Sequence, residues 1–319
     1  MEASAAEKAP ATASGGAWRV LLFPLPFQGH LNPMLQLADL LHARGLRVTV
    51  FHAAFNAPDP MAGYRFVPVG AGVPAADLVP TGSNADFAGA LLRINERLQG
   101  PFQDSLREAL QEEEDHEGAR PACLVLDSNL RGMQVVADKL GVPTLVLRTG
   151  GAACLVAYMA FPALCDKGLL PLQGNVGLPD GFEEETQGRG MVVSWAPQQD
   201  VLGHQAIGGF WTHNGWNSTL ESICEGVPMI CRPHFADQMI NARYVEEVWK
   251  VGFELEGKLE RGNIERGIRK LLCEEEGGEM RRRADNLKDK ATRCIKKGGS
   301  SQTMVDLLVN CIMSLPSSI

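Results

Sequence analysis

Short apolar runs rich in β-branched residues recur along the chain, each closed by glycine, proline or a polar residue, with longer amphipathic stretches between them. Continuous apolar runs of this length are the pattern of strands buried on both faces of a parallel sheet. They predict strands over residues 18–26, 66–69, 122–126, 191–194, 207–212 and 229–231. Pro33 suits the first turn of a helix after the first strand, and further helices are predicted from 217 or 218 to 225, from about 278 to 294, and over 303–314. Asn217 or Ser218 offers an N-cap with Glu221 inside the first turn, and Gly226-Val227-Pro228 stops that helix. Strands alternating with helices under this glycine and proline punctuation predict an α/β fold.

In open α/β sheets ligands bind beyond the carboxyl ends of the strands, so the residues there are the chemical candidates. His30 follows the first run in PFQGHLNPM, and Asp127 closes the run 122–126. Trp195 closes 191–194, where an indole could stack on a planar base. After 207–212 comes His213-Asn214-Gly215-Trp216 and a helix; a strand, a glycine turn and a helix N-terminus form an anion site, because backbone N–H groups and the helix dipole both favour phosphate. After 229–231 comes His234-Phe235-Ala236-Asp237-Gln238. Taken singly, His30 reads as a surface residue, Asp127 as a strand-end cap, and Trp195 and Trp216 as packing residues. The strand ends after 191–194, 207–212 and 229–231 together deliver polar groups to one rim.

Residues 195–238, opening on WAPQQDVLGH, passing through GGFWTHNGWNSTLES and closing on GVPMICRPHFADQ, resemble the signature box of plant UDP-dependent glycosyltransferases, with Asn214 where that box usually has Cys. The Ala-rich N-terminus and the HNGWNS variant lean towards the grass benzoxazinoid type. The resemblance implies a GT-B-like fold, two Rossmann-like domains with parallel sheets. It also implies roles. Trp195 stacks on uracil with Ala196 beside it, Gln198 and Glu221 hold the ribose, and His213, Asn217 and Ser218 contact the diphosphate around Gly215. Trp216, Asp237 and Gln238 face the sugar, Gln238 being the mark of glucose, and Thr149 lies near the sugar and β-phosphate. His30 is the general base and Asp127 its partner, which fixes the tautomer and raises the basicity of the imidazole. The implied reaction is inverting transfer from UDP-glucose to a small hydroxylated acceptor (a benzoxazinoid, phenolic or cytokinin), with no cofactor and no metal, the helix N–H groups and His213 carrying the leaving charge.

The chain departs from the resemblance at Gly174, where FPALCDKGLLPLQ passes directly into NVGLPDGFEEETQGRGMVVSWAPQ. Missing are the end of the first domain, the linker, and the first two strand-helix units of the second, on the order of a hundred residues or more against the usual ~200-residue domain. The expected parts are a disordered tail 1–17, an acceptor-binding domain 18–173, an incomplete UDP-sugar domain 174–297 and a C-terminal helix 298–319 that crosses back onto the first domain. With strands 1 and 2 gone from the centre of a 3-2-1-4-5-6 sheet, either the strands of Trp195 and His213 pair directly or an unpaired edge is left. Two readings therefore stay open: an active glucosyltransferase, or an inactive remnant that binds acceptor or an intact paralogue.

Composition narrows the rest. The chain has 319 residues, 45% of them apolar, enough for two cores. A net charge of −8 and a pI near 5.5 argue against a nucleic-acid partner. Eight scattered cysteines without a CxxC pair, and seven histidines without ligand spacing, predict reduced buried thiols and no metal. The absence of a signal-like h-region and of any apolar run near ~18–20 residues predicts a cytoplasmic protein with no membrane partner, and a monomer is expected. The glycine-rich stretch 70–75 carries Pro74 and reads as a loop, not a nucleotide fingerprint. The acidic run 112–117 and Arg281 to Arg283 read as solvated faces. Phe27 and residues 84–87 and 158–161 are the expected acceptor-pocket lining.

Overall fold

The structure is a computed structural model that describes residues 18–59, 63–80, 84–111, 121–152, 154, 190–191, 193, 196–234, 236–255 and 257–315. The expectations placed on the tail 1–17, the acidic run, Trp195 and residues 158–161 lie outside the described residues, as do those on the side chains of 84–87. Two compact units are present: Met1–Pro80 with Phe87–Leu147 and Leu308–Ile319, and Thr81–Asp86 with Arg148–Leu307.

The first unit is built on β1 (Arg19–Phe23), β2 (Arg47–Ala53), β3 (Tyr64–Val69), β4 (Pro121–Asp127) and β5 (Thr144–Leu147). They form a five-stranded sheet of order β3-β2-β1-β4-β5, parallel at every pairing. Because successive strand residues point to opposite faces, each apolar run feeds two cores. Leu21, Phe23, Phe51, Leu124 and Leu126 face one side, against α3 (Asn84–Gln111) and α4 (Arg131–Lys139). Val20, Leu22, Val48, Val50 and Val125 face the other, against α1 (Gln28–His42) and the end of the C-terminal helix, whose Val309 and Ile312 are buried there. A short helix α2 (Ala75–Leu78) follows the 70–75 loop. Helix α1 begins earlier than expected. Backbone bonds from His30 and Leu31 to Phe27 start it at Gln28, so Pro33 lies inside it and forgoes the N–H that would reach back four residues. That earlier start places His30 in the first turn.

The second unit holds α5 (Gln198–Leu202), β6 (Phe210–Thr212), α6 (Trp216–Glu225), β7 (Met229–Cys231), α7 (Gln238–Arg243) continued by a π-turn Tyr244–Val248, β8 (Gly252–Glu254), α8 (Arg261–Cys273), α9 (Glu275–Ile295) and the start of α10 (Ser300–Ser314). Its sheet is parallel, in the order β6-β7-β8. Met229 and Cys231 pack with Ile223, Ala242, Val245 and Ala284 on one face, and Ile230 packs with Phe253, Leu255 and Leu271 on the other. Gly226 ends α6 in the left-handed conformation (φ 70°), with Val227 N–H reaching the Ser222 carbonyl, the stop expected of Gly-Val-Pro.

Of the strand expected over 191–194, only Met191 and Val193 are among the described residues. Met191 and Val193 lie outside any strand and are 88% and 54% exposed. A parallel strand is held by its neighbours, and none of the pairings among the described residues includes Met191 or Val193. Among the described residues β6 is accordingly an edge, with Trp211 40% exposed.

Sheet packing in this unit is close at β8. A Cβ on Gly252 would stand 2.2 Å from the Met229 carbonyl oxygen and 2.8 Å from Val245 Cγ1. Gly252→Ala is therefore expected to lower stability by about 1–3 kcal/mol, the usual cost of overpacking, read as a lower denaturant midpoint; an unchanged midpoint would refute the close approach.

Candidate functional site

In the first unit, β1 and β4 are adjacent, so the residues just beyond their carboxyl ends meet. His30, in the first turn of α1, places Nδ1 2.7 Å from Asp127 Oδ2, at the last residue of β4. The imidazole side chain is 22% exposed and the carboxylate is fully buried. With Nδ1–H donated to the carboxylate, Nε2 carries the lone pair that can accept a proton. Asp127 Oδ1 is occupied from the other side: it accepts from the Asn129 backbone N–H at 2.9 Å and from Asn129 Nδ2 at 3.0 Å. Sequence reasoning paired His30 with Asp127 and missed Asn129.

The expected donor residues lie in the second unit. Gln198, the first residue of α5, donates from Nε2 to Ser218 Oγ at 2.9 Å and to Glu221 Oε2 at 2.6 Å, so residues expected at ribose and phosphate form one cluster. Ala196 is half-buried two residues earlier. Asn217 and Ser218 do not cap α6. The helix begins at Trp216 with Gly215 at the N-cap position and no side-chain cap, because Asn214 turns the chain in the left-handed region (φ 61°), with its N–H on Thr212 Oγ1 at 3.1 Å. Asn217 and Ser218 are thereby moved into the first turn, where N–H groups and the dipole favour an anion.

His213 lies over that turn: a Cβ on Gly215 would fall 2.6 Å from its Nε2. Partial burial of the ring lowers the His213 pKa from its ordinary value, the neighbouring His234 adds to this, and Asp237 opposes it. Thr149 is half-buried two residues past β5. The glycines after it lie against the expected sugar-facing residues. A Cβ on Gly151 would touch the Trp216 ring at 3.2 Å, and one on Gly150 would lie 3.9 Å from Asp237 Oδ2. Gln238 is buried and its Oε1 accepts from the His234 N–H at 2.8 Å.

A second residue escaped sequence reasoning. Asn241, 1% exposed, donates from Nδ2 to the Asn214 carbonyl and to Asp237 Oδ2, both at 2.9 Å, and accepts from Cys154 Sγ at 3.3 Å. It ties the β6 turn, the β7 loop and the 150–154 segment together. Its i,i+4 spacing from Asp237 was a usable signal; the other two contacts leave no mark in the sequence.

The described cysteines are free thiols, and burial pushes Cys123 and Cys231 up to about 12, keeping them protonated in the sheets. Among the described residues no three His, Cys, Asp or Glu side chains group to hold a metal, and no helix is long and apolar enough to cross a membrane.

A doubly wound parallel sheet with a His-carboxylate pair beyond its strand ends, and a second parallel sheet with a helix N-terminus at a glycine turn, define an α/β protein of the GT-B class. Solved structures share that fold. Os79 from O. sativa in complex with UDP is matched with a TM-score of 0.77 at 21% identity, over 92% of this chain and 100% of that one. A UDP-glucosyltransferase from Polygonum tinctorium is matched with a TM-score of 0.76, also at 21% identity, over 95% and 100%. Residues 160–278 match the family described as UDP-glucoronosyl and UDP-glucosyl transferase. The maize DIMBOA UDP-glucosyltransferase BX8 is 32% identical over 94% of this chain and 99% of its own, and the Arabidopsis thaliana UDP-glycosyltransferase 76B1 is 28% identical over 92% and 98%. The chain belongs to this family of glycosyltransferases. Alignment with BX8 runs over 462 positions against 319 residues here, which bears out the internal truncation.

Proposed function

We propose that the chain transfers glucose from UDP-glucose to a hydroxyl of a small plant metabolite, with inversion and without a metal. His30 Nε2 takes the hydroxyl proton, the oxygen bonds to the anomeric carbon as the bond to UDP breaks, and an α-linked donor gives a β-glucoside. The observation that carries this reading is the 2.7 Å His30–Asp127 bond, which orients the base. UDP is taken by the cluster Gln198, Ser218 and Glu221, by the first turn of α6 and by Trp195; the sugar by Thr149, Trp216, Asp237 and Gln238. DIMBOA glucosyltransferases among the relatives favour a benzoxazinoid acceptor, with phenolics and cytokinins as further candidates. Incubation with UDP-glucose and a panel of these acceptors, with UDP release measured, tests the reading. Release only at the background rate with every acceptor would end it.

His213 adds a pH dependence. Its pKa is lowered in the free protein, so it is neutral at pH 7, and a bound diphosphate favours the charged form. The complex then holds more protons than the free protein. Affinity for UDP rises as pH falls below the pKa of the complex and levels off below the lowered pKa of the free protein. Calorimetry at pH 6.5 in two buffers of different ionisation enthalpy is expected to report proton uptake, lost in His213→Gln; uptake of the same size in that variant would exclude His213 as its source.

The exposed Met191 and Val193 and the edge at β6 favour a second reading, in which the truncated donor half no longer supports transfer and the chain binds acceptor or a paralogue. Thermal stabilisation by acceptor without UDP release would select it.

A further inference from the structure

We infer that Asn129 and Asn95 are positioning residues for the base, acting on His30 through Asp127. This rests on the assignment of His30 as base, and it adds two residues that the signature box does not contain.

The Asp127 carboxylate is fully buried, so its oxygens depend on protein donors. One imidazole N–H on Oδ2 leaves a carboxylate able to rotate about its last torsion. The two Asn129 donors on Oδ1, one from the backbone and one from the side chain, define the carboxylate plane and direct Oδ2 at His30 Nδ1. Asn129 is itself held from α3. Asn95 Nδ2 donates to the Asn129 carbonyl at 2.7 Å and to the Leu91 carbonyl at 2.9 Å, while Asn95 Oδ1 accepts from the Gly132 N–H at 2.7 Å. One turn further along, Gln99 Nε2 donates to the Gly132 carbonyl at 3.2 Å. The amide of Asn95 thus grips the loop on both sides of Leu130, and Gly132 is pressed so close that a Cβ there would lie 2.9 Å from the Asn95 carbonyl oxygen.

A purely structural role is the competing explanation, since the Gly132 N–H belongs to the first turn of α4, which has no side-chain cap. The two roles differ at His30. If the clamp only starts α4, its loss lowers stability and leaves the imidazole unchanged. If it positions the dyad, the imidazole loses its single tautomer.

The experiment uses the full chain labelled with ¹⁵N-histidine, and long-range ¹H–¹⁵N spectra with His30→Ala providing the assignment. Wild type is expected to show His30 as one tautomer, protonated at Nδ1. Asn129→Ala and Asn95→Asp, which keeps the acceptor for Gly132 but loses both donors, are expected to show a mixture with the Nε2-protonated form. Asn129→Ser, retaining a short donor, is expected to restore the wild-type tautomer in part. In glucosyl transfer, kcat is expected to fall roughly 10- to 100-fold in Asn129→Ala, the scale of a small misplacement of a catalytic group, with KM for UDP-glucose unchanged. A folded Asn129→Ala with the wild-type tautomer and kcat would overturn the inference. The tautomer is read without substrate. A shift in the variants of a chain that releases no UDP would support the positioning role while removing the transferase reading, and an active chain with unshifted variants would do the reverse. If Asn95→Asp does not fold, the comparison of Asn129→Ala with Asn129→Ser decides alone.

Discussion

His30→Ala is expected to reduce glucosyl transfer by about 10²- to 10⁴-fold, the range of general-base assistance, or roughly 3–5 kcal/mol of barrier at 1.36 kcal/mol per tenfold. UDP binding is expected to persist, because the residues assigned to the nucleotide belong to the second unit, whereas His30 and Asp127 belong to the first. The alanine variant also strips the buried Asp127 Oδ2 of its donor, so some loss of stability accompanies it. His30→Asn separates the two effects: its amide can reach Oδ2 while offering no basic nitrogen. UDP-release kinetics and UDP calorimetry on both variants provide the measurement. Turnover at the wild-type rate in either would remove His30 from the mechanism, and loss of UDP affinity in both would show that it serves binding.

The second large effect is on stability. Phe102, in the middle of α3, is fully buried, with its ring centroid 5.0 Å from that of Phe23 on β1 and 5.3 Å from that of Phe51 on β2. Phe102→Ala removes the ring that joins the helix to two adjacent central strands, and the rigid sheet beneath cannot close the gap. A loss of about 3–5 kcal/mol is expected, a large share of the 5–15 kcal/mol that typically holds a domain folded. Because Asn95 lies two turns earlier on the same helix, the tautomer of His30 is expected to become mixed in any fraction that remains folded. Denaturant unfolding followed separately in the two units, through Trp18 in the first and Trp211, Trp216 and Trp249 in the second, measures it; a shift below about 1 kcal/mol in the first unit would contradict the packing.

Much of the fold was legible because its information is local. The run 229–231 is β7 to the residue, and 122–126 is β4 with one residue added at each end, since a proline before each short apolar run and a polar residue after it mark the strand limits. Boundaries slipped where backbone geometry outweighed side-chain preference. Asn217 and Ser218 are good caps by type, yet the left-handed Asn214 and extended Gly215 start the helix before them. The run 191–194 has a buried strand's composition, yet Met191 and Val193 are exposed, since composition says nothing about whether a neighbouring strand exists to pair with it.

The sequence by itself determined the alternating cores of the first sheet, because strand period is written in consecutive residues, and its resemblance to the glycosyltransferase signature box implied the family, the pairing of His30 with Asp127 and the placing of Gln198, Ser218 and Glu221 at one ligand. Only the tertiary structure decided that Asn129 and Asn95 brace the carboxylate, that Asn241 joins Cys154, Asn214 and Asp237, and that β6 stands at an edge among the described residues. The bonds concerned span 34, 37 and 87 positions of chain. Hydrogen bonds between polar side chains and distant backbone carry no period and require no particular neighbour in sequence, so they exist as a pattern only once the strands have brought their ends together.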